Sequence, residues 1–77
     1  MKAFLTNIIT HIVDKPDEIK INVVESDSTQ IYELSVGEGD MGKVIGKRGK
    51  NITSIRTLFS AVSAKKGGKR SILEIIE

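Results

Sequence analysis

Val44-Ile45-Gly46-Lys47-Arg48-Gly49-Lys50-Asn51-Ile52-Thr53-Ser54-Ile55-Arg56 is the stretch on which the reading of this chain turns. Two glycines bracket two cations, and aliphatic residues flank the four on both sides. Without a Cβ, glycine lets the backbone turn tightly and lets another molecule approach closely. Upstream, Asp40 is placed to cap a short helical turn through Ile45, which Gly46 stops. Downstream, a second helix begins near Lys50 or Asn51. Ile52, Ile55, Phe59 and Val62, with Leu58 beside them, give that helix an apolar face, Ala61 and Ala64 favour it, and Gly67-Gly68 ends it. A bare G-x-x-G is a weak signal when glycine is 7 of 77 residues. Its position between two helices, with aliphatic flanks, is what makes it informative.

Working outward, Leu5, Ile8, Ile9 and Ile12 recur at helical spacing, with Phe4 and Val13 widening the stripe. Pro16 removes a backbone donor and biases Lys15 away from helical angles, so this helix is expected to end near Val13 or Asp14. Ile19, Ile21 and Val23 alternate with Lys20 and Asn22, a first strand. Ser26-Asp27-Ser28 is turn chemistry, and Tyr32, Leu34 and Val36 form the second strand of a hairpin, with Ile31 breaking the alternation. Arg70 to Glu77 is a last strand whose isoleucines are too continuous to show which face is buried. The order α-β-β-α-α-β predicts an α+β sandwich, a three-stranded sheet with helices packed on one face.

Length and charge bound the function. The 77 residues allow one domain, 1–77, and exclude a two-domain enzyme. A chain this short buries only about 60% of its unfolded surface. With no cysteine and His11 as its one histidine, disulfides and metal cannot supplement the core, which favours association with a second chain. From Lys43 to Arg70 the chain carries nine cations and no acid, whereas the remainder sets Lys2, Lys15 and Lys20 against all ten acids. This segregation marks an anion-binding side. The apolar N-terminus is interrupted by Thr10, His11 and Asp14 and leads to no cleavage site. No run reaches the roughly 20 residues of a membrane span, so a cytoplasmic protein without membrane contact is expected.

Two competing glycine motifs fail on chemistry. Gly37-Glu38-Gly39-Asp40-Met41-Gly42 matches G-x-G-x-x-G, but Glu38 and Asp40 would face a pyrophosphate, and no acid follows about 20 residues later for a ribose. The same glycines with Lys43 approach a P-loop, yet Val44 stands where a magnesium-holding hydroxyl is required. With one surface histidine and no cysteine, neither catalysis nor a cofactor or metal is expected. Asn51-Ile52-Thr53 matches a glycosylation sequon, coincidental without an export signal.

The register Val44-Ile45-Gly46-x-x-Gly49-x-x-Ile52-x-x-Ile55 resembles that of a KH domain, and a helix and two strands ahead of the loop resemble the type II, bacterial arrangement. Size, element order and Ile55-Arg56-Thr57-Leu58 are closer still to the small single-domain KhpA-type bacterial KH proteins. The resemblance covers essentially the whole chain. It implies a non-catalytic, cytoplasmic protein that binds single-stranded RNA, forms a homodimer, and pairs with a larger KH protein called KhpB, as an RNA chaperone or post-transcriptional regulator. Carried onto this chain, Gly46, Lys47, Arg48 and Gly49 clamp the RNA backbone, and Lys43, Lys50 and Arg56 are further phosphate contacts. Ile45 and Ile52 are either the aliphatic wall of a base-holding groove or plain core, while Ile55 belongs to the core. Phe4, Tyr32 and Phe59 are too few for the exposed aromatic platforms of other RNA modules. Lys65, Lys66, Lys69 and Arg70 are either a second RNA-contacting edge or a solvated loop. A protein-docking scaffold and a single-stranded DNA binder stay open as alternatives.

Overall fold

In the computed structural model, which describes residues 1–76, the chain runs α1 (Lys2–Thr10), β1 (Lys20–Glu25), β2 (Thr29–Ser35), α2 (Met41–Ile45), α3 (Lys50–Lys66) and β3 (Arg70–Ile75). This is the expected α+β order. β2 lies between the other two strands. It pairs antiparallel with β1 and parallel with β3, so the chain must cross over through α2 and α3 to bring β3 alongside. The hairpin turn is closed by the Ser26 N–H donating to the Thr29 carbonyl at 2.8 Å.

Pairing settles what periodicity left open. Leu73 sits opposite Tyr32, and Ile72 opposite Ile31. Because side chains alternate across a sheet, Ser71 and Leu73 turn inward with Tyr32 and Leu34. Ile72 and Ile31 turn outward, beside Val24. That outward row accounts for Ile31 breaking the alternation. Leu5, Ile9, Leu34, Val44 and Phe59 are almost wholly buried, and each such burial is worth roughly 1.5–3 kcal/mol. Phe59 meets Tyr32 edge-on with ring centroids 5.0 Å apart, and both aromatics are buried in the core.

Several details differ from the sequence reading. α1 ends at Thr10 rather than Val13 or Asp14, with a looser turn that brings the Ile12 and Val13 N–H groups onto the Ile9 carbonyl. On α3 the last inward position is Ser63; Val62, expected on the apolar face, is only half-buried. Asp40 does occupy the N-cap position of α2, but its side chain does not cap that helix. The carboxylate is 2% exposed and accepts the backbone N–H groups of Asp14 (3.2 Å) and Lys15 (2.9 Å). It fastens the segment after α1 to the start of α2, satisfying donors that Pro16 and the end of the helix leave unpaired. The last strand ends at Ile75; Glu77 lies outside the described residues. No helix among the described residues is long and apolar enough to cross a membrane.

Candidate nucleic-acid interface

The interface is built around the turn between α2 and α3. Gly46 ends α2 at φ 76°, ψ 175°, a conformation essentially restricted to glycine. A Cβ there would fall 2.6 Å from Asn51 Cγ and 2.9 Å from the Asn51 backbone nitrogen. Gly46 is therefore required twice over, by backbone angle and by space. Arg48 adopts left-handed angles (φ 56°, ψ 28°), and Gly49 follows at φ 73°, ψ 15°. These consecutive left-handed residues throw the Lys47 and Arg48 side chains outward, and both are exposed.

Asn51 holds the turn from beneath. Its side-chain amide donates to the Lys43 carbonyl at 2.8 Å, tying the first turn of α3 to α2 across the glycines. The sequence offers no sign of this role, since there Asn51 marks only the start of the helix and part of a sequon. α3 has no side-chain cap at its N-terminus, and the Lys50 N–H bonds the Lys47 carbonyl. The positive end of the helix dipole therefore opens toward the turn, where it favours an anion.

The other cations divide into paired and unpaired. Lys43, exposed on α2, donates to Asp14 in an ion pair. That hydrogen bond, reinforced by the charges of Asp14 and Asp40 and opposed by desolvation, holds the Lys43 ammonium above the ordinary lysine range. Lys69 pairs with Glu25 at 3.5 Å. Lys47, Arg48, Lys50 and Arg56 make no ion pair among the described residues, so four of the five expected phosphate-binding cations present unneutralised charge.

Beside the turn lies a groove of about 530 Å³, lined by Ile45, Ile52, Arg56, Ile75 and Ile76. Ile45 and Ile52 lie together on one side of it, and Ile52, 8% exposed, belongs to the core as well. Ile55 is core. The opposite wall, Ile75 and Ile76, was not foreseen, because nothing local in the isoleucine-rich strand shows which residues reach the groove. Arg56 sits one helical turn beyond Ile52 and puts a cation at the edge of an otherwise aliphatic cleft. No group of three or more His, Cys, Asp or Glu among the described residues could hold a metal.

A glycine-bracketed turn joining two helices, two outward cations, and a groove closed by the edge strand of an α-β-β-α-α-β sandwich together define a type II KH domain. The family model described as KhpA/KhpB, KH domain, matches residues 2–75, and the chain belongs to that family. A relative named RNA-binding protein KhpA from Chlamydia trachomatis is 48% identical over 77 residues, covering 100% of this chain and 97% of its own. Proteins of the same name from Borreliella burgdorferi and Listeria monocytogenes are 46% and 43% identical, covering 91% and 100% of this chain and 84% and 100% of theirs. No solved structure gives a significant match.

Proposed function

We propose that this protein binds single-stranded RNA without catalysing a reaction, gripping the backbone at Gly46-Lys47-Arg48-Gly49 and holding bases in the adjoining aliphatic groove. The observation that carries the reading is the juxtaposition of two outward cations, without ion-pair partners among the described residues, on a strained glycine turn with a cleft lined by four isoleucines. The relatives' name, RNA-binding protein KhpA, supports it. Glycine backbone lets a phosphate approach the turn, Lys47 and Arg48 supply charge-assisted hydrogen bonds, and the dipole of α3 adds to the field. KH loops clamp about four nucleotides. The bases then lie against Ile45, Ile52, Ile75 and Ile76, where apolar contact replaces aromatic stacking.

One such domain makes few contacts. Useful affinity follows when two copies, or this chain and a KhpB-like partner, engage one strand and raise the effective concentration. We therefore assign the working form as a homodimer or such a heteromer, acting as an RNA chaperone or post-transcriptional regulator. The test is competition for a labelled single-stranded RNA. Unlabelled RNA should displace it better than DNA of the same sequence, and duplex should compete poorly. Equal competition by DNA would make this a general single-strand binder, and no binding of any strand would leave a protein-docking module.

A further inference from the structure

We propose that the RNA track continues past the groove, along the whole trough between α3 and β3, to a phosphate-binding end beside Gly67-Gly68; this extension rests on the RNA reading above. Three cavities adjoin along that line. The groove of about 530 Å³ shares Arg56 with a cleft of about 130 Å³ bordered by Phe59 and Ile72. That cleft shares Ser60, Arg70 and Ser71 with a cavity of about 450 Å³ that reaches Ser63, Gly67, Gly68 and Lys69. Shared walls make them sections of one trough. At about 1.5 Å per residue, Ser63 lies about 16 Å farther along α3 than Ile52, well beyond a four-nucleotide clamp centred on the turn.

Its chemistry changes along its length in a way that suits a polyanion. The near end is aliphatic, the middle carries Arg56, and the far end has Lys69, Arg70 and three serines. Among the described residues no Asp or Glu lines any of these three sections, although Lys69 is paired at 3.5 Å with Glu25 just outside them, so Arg70 is the far-end cation with free charge. Arg56 and Arg70 have no ion-pair partner among the described residues. Ser63 and Ser71 are each 8% exposed, yet their hydroxyls make no hydrogen bond to another described residue. Among the described residues no sealed side-chain oxygen lacks a partner, so these two open onto the cavity they line. Hydroxyls that face solvent inside a basic cavity are free to bond phosphate or ribose oxygens. The C-terminal dipole of α3 opposes an anion here. That effect is blunted because the Gly67 N–H already occupies the Ser63 and Ala64 carbonyls, at 3.2 and 3.3 Å.

The experiment compares a strand of about four nucleotides with one about three times longer, for the native protein, Lys69→Gln with Arg70→Gln, and a control pair, Lys2→Gln with Lys20→Gln, that removes equal charge outside the trough. Native protein should bind the longer strand more tightly. The trough variant should keep the short-strand affinity, which also shows that it is folded, and lose about tenfold on the longer strand, the scale of one charge-assisted contact. Its salt slope should be shallower by about 0.7 per phosphate released. The control should bind both strands as the native protein does. If the trough variant matches native on the longer strand, or the control loses as much, the extension is wrong while the clamp stands. If native protein binds neither strand, the clamp and the extension fall together.

Discussion

The two glycines of the turn are chemically identical, yet their structural burdens differ, and exchanging each for alanine measures the difference. At Gly49 the backbone is left-handed, but a Cβ would have as its nearest neighbour Ile52 Cγ2 at 4.0 Å, so Gly49→Ala costs only the left-handed penalty, about 1–2 kcal/mol. At Gly46 the conformation itself costs about 1–3 kcal/mol for a non-glycine residue. The new Cβ also meets Asn51 Cγ at 2.6 Å, Cβ at 2.8 Å and backbone N at 2.9 Å. The side chain of Asn51 has to leave, forfeiting its bond to the Lys43 carbonyl, about another 1 kcal/mol, and the first turn of α3 has to shift as well. Gly46→Ala should therefore cost about 3–4 kcal/mol, roughly 2 kcal/mol more than its neighbour. For a domain of this size each kcal/mol moves Tm by about 4–8 °C, so thermal unfolding should place Gly46→Ala about 8–16 °C below Gly49→Ala. Equal losses, or a larger one at Gly49, would refute the view that Asn51 and the unusual angles of Gly46 set the shape of the turn.

Other expectations follow from the same contacts. Asp40→Ala removes a buried carboxylate and leaves the N–H groups of Asp14 and Lys15 without their acceptor in a part-buried site, which should cost about 2–4 kcal/mol in urea unfolding; a loss below about 1 kcal/mol would mean that water replaces the carboxylate. Asp14→Asn releases Lys43 from its ion pair at an exposed site, so stability should hardly change while RNA affinity rises several-fold at low salt, and unchanged affinity would remove Lys43 from the interface. Glu25 is held below the ordinary glutamate range, first by the Gln30 amide donating at 2.7 Å and then by the Lys69 ammonium. Its contribution is present above the unfolded value and lost as pH falls through the lowered one. Between those values the Tm of native protein should drop more than that of Glu25→Gln, and parallel curves would contradict this.

What the chain shows before folding is mostly local. The turn was legible because its conformation demands glycine and its cations stand between helices whose ends are marked by Asp40, Gly46 and Gly67-Gly68. The hairpin was legible because period-two alternation and a serine-aspartate turn coincide. What escaped depends on partners far along the chain. α1 closes at Thr10 in company with an Asp40 carboxylate that binds backbone 25 and 26 residues away. The second groove wall is set by the pairing of β3 with β2, which places Leu73 opposite Tyr32 and leads Ile75 and Ile76 toward the turn. The role of Asn51 appears only when its amide is seen against the Lys43 carbonyl and the bare Cα of Gly46. Lys43 has the composition of a phosphate ligand, and only the fold reveals its acidic partner.

The central claim is that Lys47 and Arg48 hold the RNA backbone. Both are exposed and free of ion pairs with described residues, so Lys47→Asp with Arg48→Asp reverses the charge of the turn without opening the core. The most direct measurement is the affinity of native and charge-reversed protein for a short single-stranded RNA at two salt concentrations, with folding of both verified by circular dichroism. Native protein should bind with a negative salt slope, about −0.7 per phosphate contacted, and the folded variant should lose binding. Equal binding by the two proteins at both salt concentrations would contradict the account and assign the turn to another partner.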